Sequence, residues 1–407
     1  MTARFYGYLD KVFQFSTLMA TLADARRQPV IPTAAVFATA FAMFATHRGS
    51  LNGMDQERRC PGQWRKFLGP HIPSGDTVGR VYALLDSGPL REVLKDVHLR
   101  IKRNKMLDNL GGYFFAAVDG HEFFASYKRC CPQCLTRTVK RDDGEFTQYY
   151  HRGVVCHLIG QEIAIPLDVE MQQPDEGEVP AAKRLLERVF AHYPRYFDAV
   201  VGDSLYFEAP FISFCQEHHK HVIVVLKGER RLLLQDAEGL FSQMAPGQWS
   251  EGGLTVQYWD EEGFTSCEGL SQPLRVLHTV ETERFRERIA GQWKQSEETS
   301  SWYWATTFTK SQLRTRELHR AGHWRWDVEN GCFNSNSTYW GLDHVFKHEP
   351  AAIVNFILTL FLAFTLLQCF WRRNLKPPFR NIFTLIGLAE KLYAGVAAPV
   401  QSHASYP

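Results

Sequence analysis

The chain reads as an α/β protein: a mixed sheet flanked by helices, interrupted by a β-rich insertion and preceded by a helical N-terminal segment. Three observations predict this. Apolar residues recur at helical spacing through the first 105 residues; from Tyr113 short apolar runs alternate with helical stretches; and roughly a hundred Trp-, Tyr- and Thr-rich residues then alternate at period two before a helical pattern returns. With 407 residues, 45% hydrophobic and 22% charged, the composition is that of a folded chain with room for two or three domains, which excludes a disordered protein.

In the N-terminal segment Leu90, Val93, Leu94, Val97 and Ile101 mark one face of a helix, with Arg91, Lys95, Arg100, Lys102 and Arg103 among them. Ser74 or Asp76 is placed to cap an earlier helix through Val81, Leu84 and Leu85. Residues 1–105 carry 16 Lys and Arg against 8 Asp and Glu, a balance of +8 in a chain of net charge +2. A basic leading part ahead of an acidic remainder suits a protein that grips phosphates, although a solvated helical face has the same composition. No helix-turn-helix pattern stands out, so contact with DNA rests here on charge alone.

A strand is expected to run from Tyr113 to Asp119. After a Cys-rich loop come strands at 149–158 and 162–169, a helix at 180–190, a strand ending at Asp203, a helix near 209–218 and the strand 221–226. Three strands, a helix, a strand, a helix and a strand is the order of an RNase H-like core. The β-rich insertion follows, with alternating runs at 254–259, 274–279 and 302–307. The expected segments are 1–108, helical, basic and DNA-binding; 109–228, the first part of the core; 229–318, the insertion; 319–372, the last part of the core with its catalytic helix; and 373–407, a C-terminal tail.

Three acids stand out in that order. Asp119 and Asp203 close apolar strands, and Glu329 lies in the helical stretch Trp324–Asn330. Two Asp from strand ends and one Glu from a later helix form a hard oxygen set suited to two Mg²⁺ or Mn²⁺ ions in phosphoryl transfer. Each Asp alone also fits the start of an ordinary turn. Asp168 and Glu170 end a strand too but lack this placement, and are expected at the surface or behind the site. Asp327 is expected to cap or to be solvated, and Asp343 is a further acid near Glu329 in sequence.

With these residues in view the chain resembles the DDE-type transposases of bacterial insertion sequences, the class with a β-rich insertion before the catalytic Glu. The resemblance covers the chain from about residue 70 onward. It is carried by Ala117-Val118-Asp119-Gly120, Gly202-Asp203-Ser204-Leu205-Tyr206, Val225-Leu226-Lys227-Gly228 and the block from His323 to His348. Arg325 and Glu329, four apart and so on one helix face, match the Arg-x-x-x-Glu centre of the class's Tyr-Arg-Glu-Lys signature. The signature's Tyr position falls at Gly322, beside His323, and its Lys falls near Asn336 or Ser337. The resemblance implies strand cleavage at the element's ends and 3′-OH strand transfer into target DNA. It implies catalysis by Asp119, Asp203 and Glu329 through two Mg²⁺ or Mn²⁺ ions, and DNA contacts from Arg325, His323 and Lys227. It also implies double-stranded DNA partners (terminal inverted repeats and target), a homodimer in the DNA complex, and a cytoplasmic, nucleoid-associated setting. The readings set against it are an inactive, transposase-derived repressor and an RNase H-like nuclease that cuts without joining.

Nine Cys at irregular spacing favour reduced thiols or a metal site over a disulfide framework. Cys131 and Cys134, with His151, are candidate Zn²⁺ ligands, with Cys130 or His121 as the fourth; reduced thiols in an ordinary turn are the alternative. Ala351 to Phe370 is long and apolar enough to cross a bilayer. Its Asn355, Thr359, Thr365 and Gln368 instead favour a buried helix and no membrane partner. Among Trp249, Trp259, Trp293, Trp302 and Trp304 most are expected in the insertion's core, while one would stack on a flipped base, as the resemblance implies.

Overall fold

The computed structural model describes residues 1–59, 62–128, 130–228, 231–289 and 292–397. The N-terminal segment is helical, as its periodicity predicts: α1 (Thr2–Phe13), α2 (Phe15–Ala20), α3 (Thr33–Ala45), α4 (Leu51–Arg59), α5 (Arg65–Leu68), α6 (Gly75–Leu84) and α7 (Ser87–Arg103). Ser74 caps α6, its hydroxyl accepting from the Thr77 amide. Next come β1 (Phe115–Ser126), β2 (Leu135–Arg141), β3 (Gly144–Ile159), β4 (Ile165–Met171), α8 (Glu178–His192), β5 (Ala199–Gly202), α9 (Ala209–Glu217) and β6 (His221–Val225). The insertion holds α10 (Leu232–Phe241), β7 (Gly247–Glu251), β8 (Leu254–Phe264), β9 (Leu274–Ile289) and β10 (Gln292–Thr306). Last come α11 (Thr315–His323), two π-helical segments (Val328–Asn334 and Asn336–Trp340), α12 (Pro350–Cys369), α13 (Pro377–Arg380) and α14 (Leu385–Ala397).

The chain forms two units. The first comprises residues 1–108, 120–194 and 327–407, so the N-terminal helices cluster with the C-terminal ones. Its centre is α12, which packs on α3, α6, α7 and β4. The four polar residues of this apolar helix explain its place. Asn355 donates to the carbonyls of Tyr82 and Leu85, Thr359 bonds the Tyr82 hydroxyl, and Thr365 and Gln368 bond the Ala164 carbonyl. In hydrocarbon those groups would lack such partners; here each meets protein, and α12 is a core helix. The expected C-terminal tail is helical through α13 and α14, and α14 packs on α1; residues 398–407 lie outside the described residues. In the sheet of this unit β3 pairs antiparallel with both β2 and β4.

Two acids differ from expectation. Asp168 is buried, held by Arg91 at 2.9 Å and Arg188 at 2.6 Å, so it is an internal ion-pair centre and not a surface acid. Glu170 joins it through Arg188 and pairs also with Arg184. Strand β2 was expected to be loop, since its exposed Thr, Arg and Lys carry no apolar alternation; pairing with β3 sets it.

His98 on α7 and His157 on β3 are both buried. Burial pushes each imidazole from its ordinary 6.5 down to about 3. Both are neutral in the folded chain below the pH at which they protonate when unfolded. The unfolded chain then binds more protons, and stability is lost as pH falls from about 6.5 toward about 3. At about pH 5 the expected loss is up to about 2 kcal/mol for each imidazole. Thermal melts from about pH 7.5 to about pH 5 check this, and an unchanged midpoint would count against it.

The second unit comprises residues 109–119 and 195–326. Its sheet runs β1, β5, β6, β10, β9, β8, β7. β1, β5 and β6 are parallel, and β10 returns antiparallel to β6, so the sheet is mixed. The residues of β5 and β6 are nearly all apolar and buried, as strands covered on both faces require. The β-rich insertion thus continues the sheet as an antiparallel meander, with the unforeseen helix α10 leading into it.

Candidate active site and metal centre

Asp119 does not end its strand: β1 continues to Ser126, and the carboxylate leaves from within it. Ala116, Ala117 and Val118 before it are fully buried, while Asp119 is half-buried. Asp203 does follow its strand, directly after β5, and its Oδ1 accepts from the Leu205 amide at 2.8 Å. β1 and β5 are parallel neighbours in the register Phe115↔Ala199 and Ala117↔Val201. Carried two residues further, that register aligns Asp119 with Asp203, on strands about 4.8 Å apart. Gly202 makes room for the turn that follows, since a Cβ there would lie 2.8 Å from the Tyr206 ring.

Arg325 donates to Asp119 at 3.1 Å and lies over the Trp326 ring at 4.2 Å. Its guanidinium therefore pairs with a candidate acid of the site. His323 is likewise engaged. Its Nε2 and that of His319 both meet Glu281 Oε1, at 2.9 and 3.0 Å. Burial raises the Glu281 carboxyl, but the hydrogen bonds from His319 and His323 outweigh it and hold the group well below the usual carboxylate range. Lys227 is exposed, its ammonium 5.3 Å from the Trp302 ring centre.

Glu329 lies half-buried in the π-helical segment Val328–Asn334, not in the regular helix its spacing from Arg325 suggested. Asp327 is not solvated: it accepts from the Gly160 amide at 2.8 Å, and burial raises its carboxyl. Gly322, at the signature's Tyr position, has no room for a side chain, because a Cβ would lie 2.5 Å from the Trp304 indole. At the Lys position Asn336 is fully buried and donates to the Cys332 carbonyl. Ser337 donates to Asp343, which also meets His121 at 2.7 Å.

The Cys-rich turn belongs to the first unit. Cys131, Cys134 and His151 come together as expected, but the fourth group is His348, just before α12. Cys130 is exposed and outside the cluster, and His121 is turned to Asp343 and stacked on Phe333. Burial pushes the Cys134 thiol up to about 11, while burial and the neighbouring His348 push His151 down to about 4. His348 carried no local signal: it follows Cys134 by more than two hundred residues, and only the fold joins them.

Of the insertion's tryptophans, Trp249 and Trp304 are core, as expected, and Trp293 on β10 is 70% exposed. No curated protein matches the chain. A family model for the transposase DDE domain matches residues 127–366, a span that contains Asp203, Glu329, the insertion and the Cys and His cluster, with Asp119 just ahead of it. That match extends over more than half of the sequence and agrees with the mixed sheet, its flanking helices and the β-rich insertion; the chain belongs to the DDE-domain transposase family.

Proposed function

We propose that this transposase cuts DNA at the ends of its insertion sequence and joins the freed 3′-OH to target DNA, with Asp119, Asp203 and Glu329 holding two divalent cations. The observation that supports it most is the parallel β1–β5 register, which, carried two residues beyond Ala117↔Val201, brings Asp119 opposite Asp203. Carboxylate oxygens are the hard donors that Mg²⁺ and Mn²⁺ take, and two acids so close favour a bound cation over mutual repulsion. When bound, such ions supply Lewis-acid chemistry, polarising the phosphodiester and acidifying water.

The chain's own part is positioning. Arg325, paired with Asp119 and stacked on Trp326, orients that carboxylate and offsets part of its charge. Lys227, the basic N-terminal helices and the exposed Trp293 are the groups to contact DNA, the indole by stacking on an unpaired base. Hydrolysis breaks one phosphodiester and leaves a 3′-OH. Transfer then forms one P–O bond for each that it breaks, so no energy-rich cofactor is required. Two element ends are held as terminal inverted repeats, one by each subunit of a homodimer, in the cytoplasm.

The test uses the full chain and labelled DNA carrying the gene's own flanking ends, with Mg²⁺ or Mn²⁺. Cleaved and joined strands are expected, and Asp119→Ala should lower them on the order of 10³-fold or more. Tight end binding with no cleavage in either metal would overturn the reading in favour of a repressor. Cleavage without joined products would make the protein a nuclease.

A further inference from the structure

The four groups gathered at the Cys-rich turn have the shape of a metal shell. In the turn before β2 the Cys134 amide donates to the Cys131 carbonyl, and the Cys131 amide donates to Cys134 Sγ at 3.1 Å. This local winding brings both sulfurs to one side, 3.7 Å apart. β2 and β3 pair as Leu135↔Tyr150, and the next step of that register sets Cys134 opposite His151. His348 closes the group from the segment leading into α12.

The distances discriminate between a metal shell and a chance cluster. Zinc bound tetrahedrally at about 2.3 Å from sulfur and about 2.0–2.1 Å from nitrogen requires edges of about 3.8 Å between sulfurs, about 3.5 Å from sulfur to nitrogen and about 3.3 Å between nitrogens. Here the sulfurs are 3.7 Å apart, three of the four sulfur–nitrogen edges are 3.3, 3.4 and 3.4 Å, the two Nε2 atoms are 3.1 Å apart, and all four ligand atoms lie within 4.8 Å of one another. A disulfide would place the sulfurs about 2.05 Å apart. Two imidazoles and two thiols around one point also bring four electron-pair donors together, the set that a bound zinc ion takes once the thiols are deprotonated.

We propose that Cys131, Cys134, His151 and His348 hold a structural Zn²⁺ ion in a closed Cys₂His₂ site. All four positions are filled by the protein, so the ion leaves no place for substrate and its role is to fasten. It ties the β2–β3 hairpin, whose strand β2 is mostly exposed and carries little core of its own, to the root of the core helix α12.

The experiment is metal analysis of the full chain purified without added metal, followed by replacement of the ion with Co²⁺. Stoichiometric zinc is expected, and the Co²⁺ form should show thiolate charge-transfer and intense tetrahedral d–d bands. His348→Ala should lose stoichiometric metal, while Cys130→Ser keeps it. His348→Cys should keep metal with stronger charge-transfer absorption, a result that loss of folding cannot imitate. Chelation of the wild-type chain should lower its melting temperature, with recovery on adding Zn²⁺. A chain that contains no zinc, takes up none and melts unchanged with chelator would overturn the proposal. So would metal retained in full by His348→Ala, or Cys131 and Cys134 recovered as a disulfide.

Discussion

Replacing Asp203 by Asn is expected to lower strand cleavage on the order of 10³-fold or more while leaving the melting temperature nearly unchanged. The separation of the two effects follows from what the side chain does. Its Oδ1 accepts from the Leu205 amide and caps the turn after β5, a task that an Asn carbonyl oxygen performs as well. The role proposed for it, as a charged oxygen donor to a cation shared with Asp119, is lost with the charge. Asp203→Ala should lose the same activity and also about 1 kcal/mol of stability, because the amide is left without its cap. Cleavage assays beside thermal melts of both variants measure this. An Asn variant that still cuts would remove Asp203 from the catalytic set.

Asp260→Ala should be the most destabilising single change in the second unit, at about 3–5 kcal/mol. Asp260 on β8 and Arg275 on β9 form a two-pronged pair at 2.8 and 2.6 Å, with side chains 2% and 1% exposed. Arg275 also donates to the carbonyls of Thr309 and Leu313, and the Thr315 hydroxyl donates to Asp260. The pair therefore links the insertion to the start of α11. Removing the carboxylate leaves a buried guanidinium without its counter-charge, and that desolvation cost dominates. The double change Asp260→Leu with Arg275→Met should recover most of the loss, since an apolar pair of similar volume carries no such cost. Denaturant unfolding of the three variants checks the order; a double variant no better than the single would show that the carbonyl and Thr315 bonds carry the stability instead.

Where a sequence pattern is local, the fold was legible. β5, α9 and β6 fall within a residue or two of their expected limits, because each is a short apolar run or an amphipathic turn bounded by Gly, Asp or His. The alternating runs of the insertion became β8, β9 and β10 for the same reason. The expectation failed where the cause is not local. β2 is polar and exposed, and only pairing with β3 makes it a strand. β1 continues past Asp119 because it has neighbours there, which no terminating residue announces. The helix around Glu329 is π-helical, a wider winding that residue spacing does not reveal.

The same division runs through the candidate sites. The residue types and their order along the chain mark Asp119, Asp203 and Glu329 as acids suited to hard cations, and Cys-x-x-Cys as a pair of soft ligands, since ligand chemistry resides in the side chain itself. Partnership does not. That Arg325 pairs with Asp119, that Glu281 gathers His319 and His323, that Trp304 takes the space at Gly322, and that His348 completes the cluster at Cys134 all depend on packing between segments far apart in the chain. Hydrophobic periodicity reports the path of a segment over a few residues; which distant side chain it meets is set by how buried faces fit together, and that appears only in the folded molecule.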